Sequence, residues 1–304
     1  MKYFIILAHI LVITSAIHIP KNYAHYKPGY MRIPEWEKIT SGQRKLKQKE
    51  PTLTFKPKDG VLTRAGCGIP GSKTENHHTK IDDGQEAEPH QFPWQVGFFV
   101  DNAYFCSGTI ISSKYVLTAA HCAAYGAHYE VIIGAHELMD PANKRIDSYN
   151  AIVHPEWDTY NLANDIAILE LEEEIDFDTQ PNVGPICLIS SGNFTGQTSL
   201  LSGWVQSQET GKGVVGYIDD LPILSKSDCE EFWGELNGGV ICIGRKICHI
   251  NSGIPLSIHG ALFEQIGIAS AGSTLGCDAG APFLFTDVTK YFSWITSVTG
   301  LNFE

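Results

Sequence analysis

Residues 117–122 read Leu117-Thr-Ala-Ala-His121-Cys122, residues 164–169 read Asn164-Asp165-Ile166-Ala-Ile-Leu169, and residues 248–256 read Cys248-His-Ile-Asn-Ser252-Gly253-Ile-Pro255-Leu256. The first segment puts a histidine beside a cysteine. The second puts an acid at the head of an apolar strand. The third puts a serine in a turn bounded by glycine and proline. Each alone has an ordinary structural reading: a core histidine, a strand-capping aspartate, a surface serine. Around them, from about residue 92, short apolar runs such as Trp94–Val100, Tyr115–Ala119, Val131–Gly134 and Ile166–Leu171 are separated by Gly, Pro, Asn and Asp. Such spacing predicts an all-β chain of antiparallel strands in a sandwich or barrel. The end differs: Tyr291, Trp294, Ile295 and Val298 fall at helical spacing, which predicts a terminal helix within Thr289–Leu301.

Outward from this body, the 304-residue chain carries 22 Lys and Arg, 34 Asp and Glu and a net charge of −12. The acidic balance argues against a nucleic-acid binder. The charge is uneven. Residues 18–66 hold 11 basic and four acidic residues, while residues 67–304 hold 10 basic and 30 acidic ones. A +7 arm therefore precedes a −20 body. Residues 1–16, with Lys2, an apolar run and Thr14-Ser15-Ala16, read as a secretory signal peptide. No later segment is apolar enough to span a bilayer. The chain is thus expected to be secreted and extracellular, where disulfides persist. Residues 17–66 contain no cysteine and no sustained period. They read as a propeptide arm, with a tether for an acidic partner or sulfated glycan as the functional alternative. Asn193-Phe-Thr195 is a sequon for N-glycosylation.

In the order His, Asp, Ser, the three opening segments resemble the trypsin/chymotrypsin family of serine proteases, an order that is one of three known arrangements of the triad. Independent marks in residues 67–304 strengthen the resemblance. Ile81-Asp-Asp-Gly84 through Phe92-Pro93-Trp94-Gln95-Val96 is similar to the family's activation sequence and first strand. Cys106-Ser-Gly108, Gly203-Trp204 and Phe285-Thr286-Asp-Val288 also fall in order. The resemblance implies two six-stranded antiparallel barrels with a C-terminal helix, and a cleft between the barrels. It implies residues 67–80 as an activation segment and 81–304 as the protease domain of a zymogen cleaved between Lys80 and Ile81. It implies His121, Asp165 and Ser252 as catalytic residues. In that template the serine attacks a peptide carbonyl, the histidine moves its proton and the aspartate holds the imidazole. It also selects one pairing of the eight cysteines: Cys106–Cys122, Cys229–Cys242, Cys248–Cys277 and Cys67–Cys187. No thiol is left over. The loop after Gly134 has Ala135 in place of the family's calcium-binding glutamate. No metal and no cofactor are expected.

The surroundings of the triad depart from the family. Asn251 replaces the Asp that pairs with the new α-amine, and an amide is a weaker partner than a charge. Asp82 and Asp83 stand beside that amine. Ile250 replaces the Gly whose N–H, with that of Ser252, forms the oxyanion hole; one lost donor lowers the rate by about 10²–10³. Ile254 replaces a further Gly. In the specificity pocket, Lys246 replaces the floor Asp, Ser270-Ala271-Gly272 stands for Ser-Trp-Gly, and Phe283 replaces a mouth Gly and is expected to fill it. So many changes around one cleft predict a pseudoprotease, weakly active or non-catalytic, that binds or regulates a protease, an inhibitor or another protein or peptide. The complete triad supports the alternative, an active endopeptidase of non-tryptic specificity.

Overall fold

The computed structural model describes residues 66–71, 80–81, 84–206, 210, 212–236, 239–244, 250–272 and 282–303. The expected signal peptide and most of the basic arm lie outside the described residues, as do Asp82, Asp83, Lys246, Cys248 and Cys277. The described strands begin with the hairpin of β1 (Lys80–Ile81) and β2 (Gly84–Glu86).

The first barrel is built from β3 (Gln95–Val100), β4 (Tyr104–Ile110), β5 (Tyr115–Thr118), β6 (Tyr129–Ile133), β7 (Lys144–Ser148), β8 (Asn150–Val153) and β9 (Ala167–Glu170). Its hydrogen-bonded order is β7-β6-β3-β4-β5-β9-β8. The two end members are consecutive in the chain and separated only by Tyr149. They are one strand bent at that residue, so seven segments close into a six-stranded barrel. Closure leaves the ring no unpaired edge. All six residues of β3 are buried, because one face lines the barrel and the other meets the second barrel.

The second barrel uses β11 (Thr198–Gln206), β12 (Gly213–Pro222), β13 (Val240–Ile243), β14 (Pro255–His259), β15 (Phe263–Ala271) and β16 (Phe283–Asp287), in the order β12-β11-β14-β15-β16-β13. It closes through the Ile223–Ile243 bridge and the bonds Leu224 N to Cys242 O (2.9 Å) and Gly244 N to Pro222 O (3.0 Å). The short β10 (Cys187–Leu188) runs parallel to β15, and β2 adds to the outer edge of β12. The boundaries of β3, β5, β6 and β9 lie within two residues of the apolar runs that predicted them.

The two barrels are joined by aromatic and buried polar contacts. The Trp94 and Phe263 rings are 5.2 Å apart, and Phe105 meets Trp204 edge-on at 6.5 Å. Thr109 Oγ1 donates to Gln265 Oε1 (2.7 Å) and Ser202 Oγ to Gln95 Oε1 (3.1 Å). A buried hydroxyl or amide is tolerated there because it finds a partner across the interface. The chain ends in a 3₁₀ turn, Val288–Tyr291, followed by the helix Phe292–Thr299. Asp287 Oδ1 accepts from Thr289 N and Oγ1 to start the turn, and Gly300 in the left-handed region ends the helix. Disulfides join Cys106–Cys122, Cys229–Cys242 and Cys67–Cys187. The last spans 120 positions and fixes residue 67 to the second barrel, where Gly68 also exchanges backbone bonds with Pro185 and Phe263.

Candidate active site

β5 and β9 are antiparallel, with Thr118 opposite Ala167. The end of one strand therefore meets the start of the other. The chain leaving β5 turns into the one-turn helix Ala120–Ala123, which carries His121, and Asp165 lies two residues before β9. The pairing brings both functional groups together. Asp165 Oδ2 lies 2.7 Å from His121 Nδ1, and Asp165 Oδ1 accepts from the His121 backbone N–H at 2.9 Å. Asp165 is fully buried. A buried carboxylate needs hydrogen bonds to persist, and a third comes from the second barrel: Ser270 Oγ donates to Oδ2 at 2.6 Å. The Asp165 carbonyl accepts from Thr286 Oγ1 at 2.8 Å.

Two influences oppose each other at His121. Burial lowers the imidazole pKa, while the Asp165 charge and its hydrogen bond raise it, and the net effect is a raised value. With Nδ1 engaged by the carboxylate, Nε2 is the nitrogen left for proton transfer. It is buried and, among the described residues, has no hydrogen-bond partner, so Ser252 Oγ is not bonded to it.

Ser252 is held through its backbone. Its carbonyl accepts from Ser107 N (2.9 Å), and the Ser107 carbonyl accepts from Thr118 Oγ1 (2.7 Å). The next residue, Gly253, has φ +81°. A Cβ there would lie 2.2 Å from the Ser107 carbonyl oxygen, so the turn that presents Ser252 requires glycine on both counts. Ile250 and Ile254 are buried in the apolar cluster of the second barrel, and Ile254 packs onto Gly203. Asn251 is buried and its Nδ2 donates to the Trp204 carbonyl at 2.9 Å.

Phe283, expected from the resemblance at the mouth of the specificity pocket, opens β16 opposite Ile243, and its ring lies 5.5 Å from that of Phe285. A Cβ on Gly272 would lie 2.7 Å from Phe283 Cε2. The Phe283 ring therefore rests against the Gly272 backbone. Ser270, expected from the sequence at the pocket wall, also engages Asp165 through its hydroxyl. That contact joins residues 105 positions apart on different barrels, and no local pattern signals it. Lys80 and Ile81 lie in the β1 strand, paired with Gln85 and Gly84. Asn193 is exposed, and its Oδ1 accepts from Thr195 N. Among the described residues no cluster of three metal-ligating side chains occurs, and no helix is long and apolar enough to cross a membrane.

The Trypsin family model matches residues 81–295. Brachyurin of Leptuca pugilator is 33% identical over 230 residues, covering 73% of this chain and 100% of the relative. Trypsin II-P29 of Gallus gallus is 30% identical over 243 residues, covering 76% and 92% respectively. Kallikrein-4 of Homo sapiens is 28% identical over 237 residues, covering 75% and 91%. Among solved structures, one titled as HL collagenase superposes with a TM-score of 0.64 and 28% identity, covering 73% of this chain and 100% of the other.

Proposed function

Because the chain belongs to the Trypsin family of serine proteases, we propose that it is a secreted, N-glycosylated member of that family whose site binds rather than turns over its target. The target is a protein or peptide: a substrate-like segment, another protease, or an inhibitor. The observation that carries this reading is the Phe283 ring against Gly272; on the family resemblance, these two positions flank the entry for a substrate side chain. A blocked entry removes the binding energy that orients the scissile bond, and misplaced substrate loses rate steeply. Ile250 and Asn251 add to the same reading, since both are committed to the second barrel's interior.

The test is covalent labelling by a fluorophosphonate after cleavage between Lys80 and Ile81. No labelling above that of Ser252→Ala is expected. Strong labelling that disappears in Ser252→Ala overturns the reading.

One observation favours a second reading, an active endopeptidase made as a zymogen with non-tryptic specificity. The pair of His121 and Asp165 is complete and is buttressed by Ser270, as general-base catalysis requires. On that reading the cleaved chain hydrolyses members of a diverse peptide library in a Ser252-dependent way, with small or acidic residues preferred before the scissile bond. A flat background across the library removes it.

A further inference from the structure

The residue before the acid, Asn164, has φ +57°, and Leu162 has φ +55°. A bulky residue such as Leu162 in the left-handed region stores backbone strain, and with Asn164 in the same region two positions on, the conformation persists only where neighbours hold it. Those neighbours are Glu156 and Tyr291. Asn164 Nδ2 donates to the Glu156 carbonyl at 2.7 Å, and Asn164 Oδ1 accepts from the Tyr291 hydroxyl at 3.0 Å. Tyr291 comes from the 3₁₀ turn that follows the second barrel's last strand. Its ring is wedged against His154 (centroids 5.3 Å apart), and its hydroxyl sits where a Cβ on Gly239 would approach within 3.0 Å.

We infer that Tyr291 is a positioning residue for the His121–Asp165 pair, acting through Asn164: its hydroxyl pins the strained loop that delivers the Asp165 carboxylate to the imidazole. Pinning from the second barrel matters because Asp165 belongs to the first. Thr286 and Ser270 hold the same aspartate from the same side, so the acid is located by the partner barrel. Burial first, then the charges of Asp287, Asp165 and Glu156, raise the Tyr291 phenol pKa, so the hydroxyl keeps its proton and stays a donor. The inference rests on Asp165 and His121 being the site's acid and base. It does not depend on turnover.

The experiment is NMR titration of the His121 imidazole in the full chain. Tyr291→Phe keeps the ring and removes the hydroxyl. It is expected to lower the midpoint by roughly half a unit or more, as Asp165 loses its fixed alignment. Asn164→Gly suits φ +57° and removes the anchor, so it folds without strain and should give a similar shift. Adding Tyr291→Phe to Asn164→Gly should then change nothing further, the signature of one coupled path. An unchanged midpoint in Tyr291→Phe, or the same Tyr291→Phe shift in both backgrounds, overturns the inference. Fluorophosphonate labelling reports separately on turnover, so failure of the binding reading is distinguishable from failure of this one.

Discussion

His121 lies between burial, which disfavours its charge, and Asp165, which favours it, and Asp165 wins. The sign of two consequences follows. The neutral imidazole that a general base needs forms only as pH rises through a value above the ordinary ~6.5. The stabilisation from the charged pair is full below the unfolded-state pKa and is lost as pH climbs through the raised folded-state value. Titration of the wild-type imidazole should show a midpoint above ~6.5, and Asp165→Asn should drop it below that value because only burial is left. A wild-type midpoint at or below ~6.5 would show that the carboxylate does not govern the ring. At this scale the sequence read His121 and Asp165 as partners by type and order, and their side chains lie 2.7 Å apart. It did not place Ser270 on Asp165, because a hydroxyl's partner is chosen by which barrel face it meets. By its register in the family resemblance Phe283 is expected at the pocket mouth; its ring lies on Gly272.

Elements were legible where apolar runs were short and bounded by turn residues, as in β3, β5, β6 and β9. What the pattern could not give was the bend at Tyr149, which divides one barrel strand into β7 and β8. A bend is set by the curvature needed for closure, not by hydrophobic period. Contact between elements also hides in glycines. Gly97 in β3 faces the second barrel, where a Cβ would lie 2.8 Å from the Phe105 ring and 2.9 Å from Trp204 Nε1. Gly97→Ala is therefore expected to destabilise by roughly 1–3 kcal/mol through overpacking. Gly260→Ala, with nothing within 4 Å of the new Cβ, should stay within about 0.5 kcal/mol of wild type. Urea midpoints of the two variants compare them directly. Equal midpoints would mean that the barrel interface yields at Gly97.

At the scale of the whole molecule, Cys67–Cys187 ties a segment that precedes β1 to the second barrel. A cut between Lys80 and Ile81, as proposed for a zymogen, would leave the basic arm attached to the acidic body through this bond. Cleaved protein should therefore run as one species on a non-reducing gel and as two after reduction. Separation without reductant would contradict the tether. On the same gel, enzymatic deglycosylation should increase mobility, and Asn193→Gln should abolish that shift; an untreated chain already at its polypeptide mass would exclude a glycan at Asn193. Composition, cysteine number and the ordered segments around His121, Asp165 and Ser252 determined an all-β, disulfide-bonded, trypsin-like chain, because apolar period, covalent capacity and residue order are written along the chain. Only the tertiary structure decided who holds Asp165, where the first barrel bends, and what rests on Gly272. Those contacts join positions far apart in sequence on two separate barrels, and their distances exist only once the barrels have closed and docked.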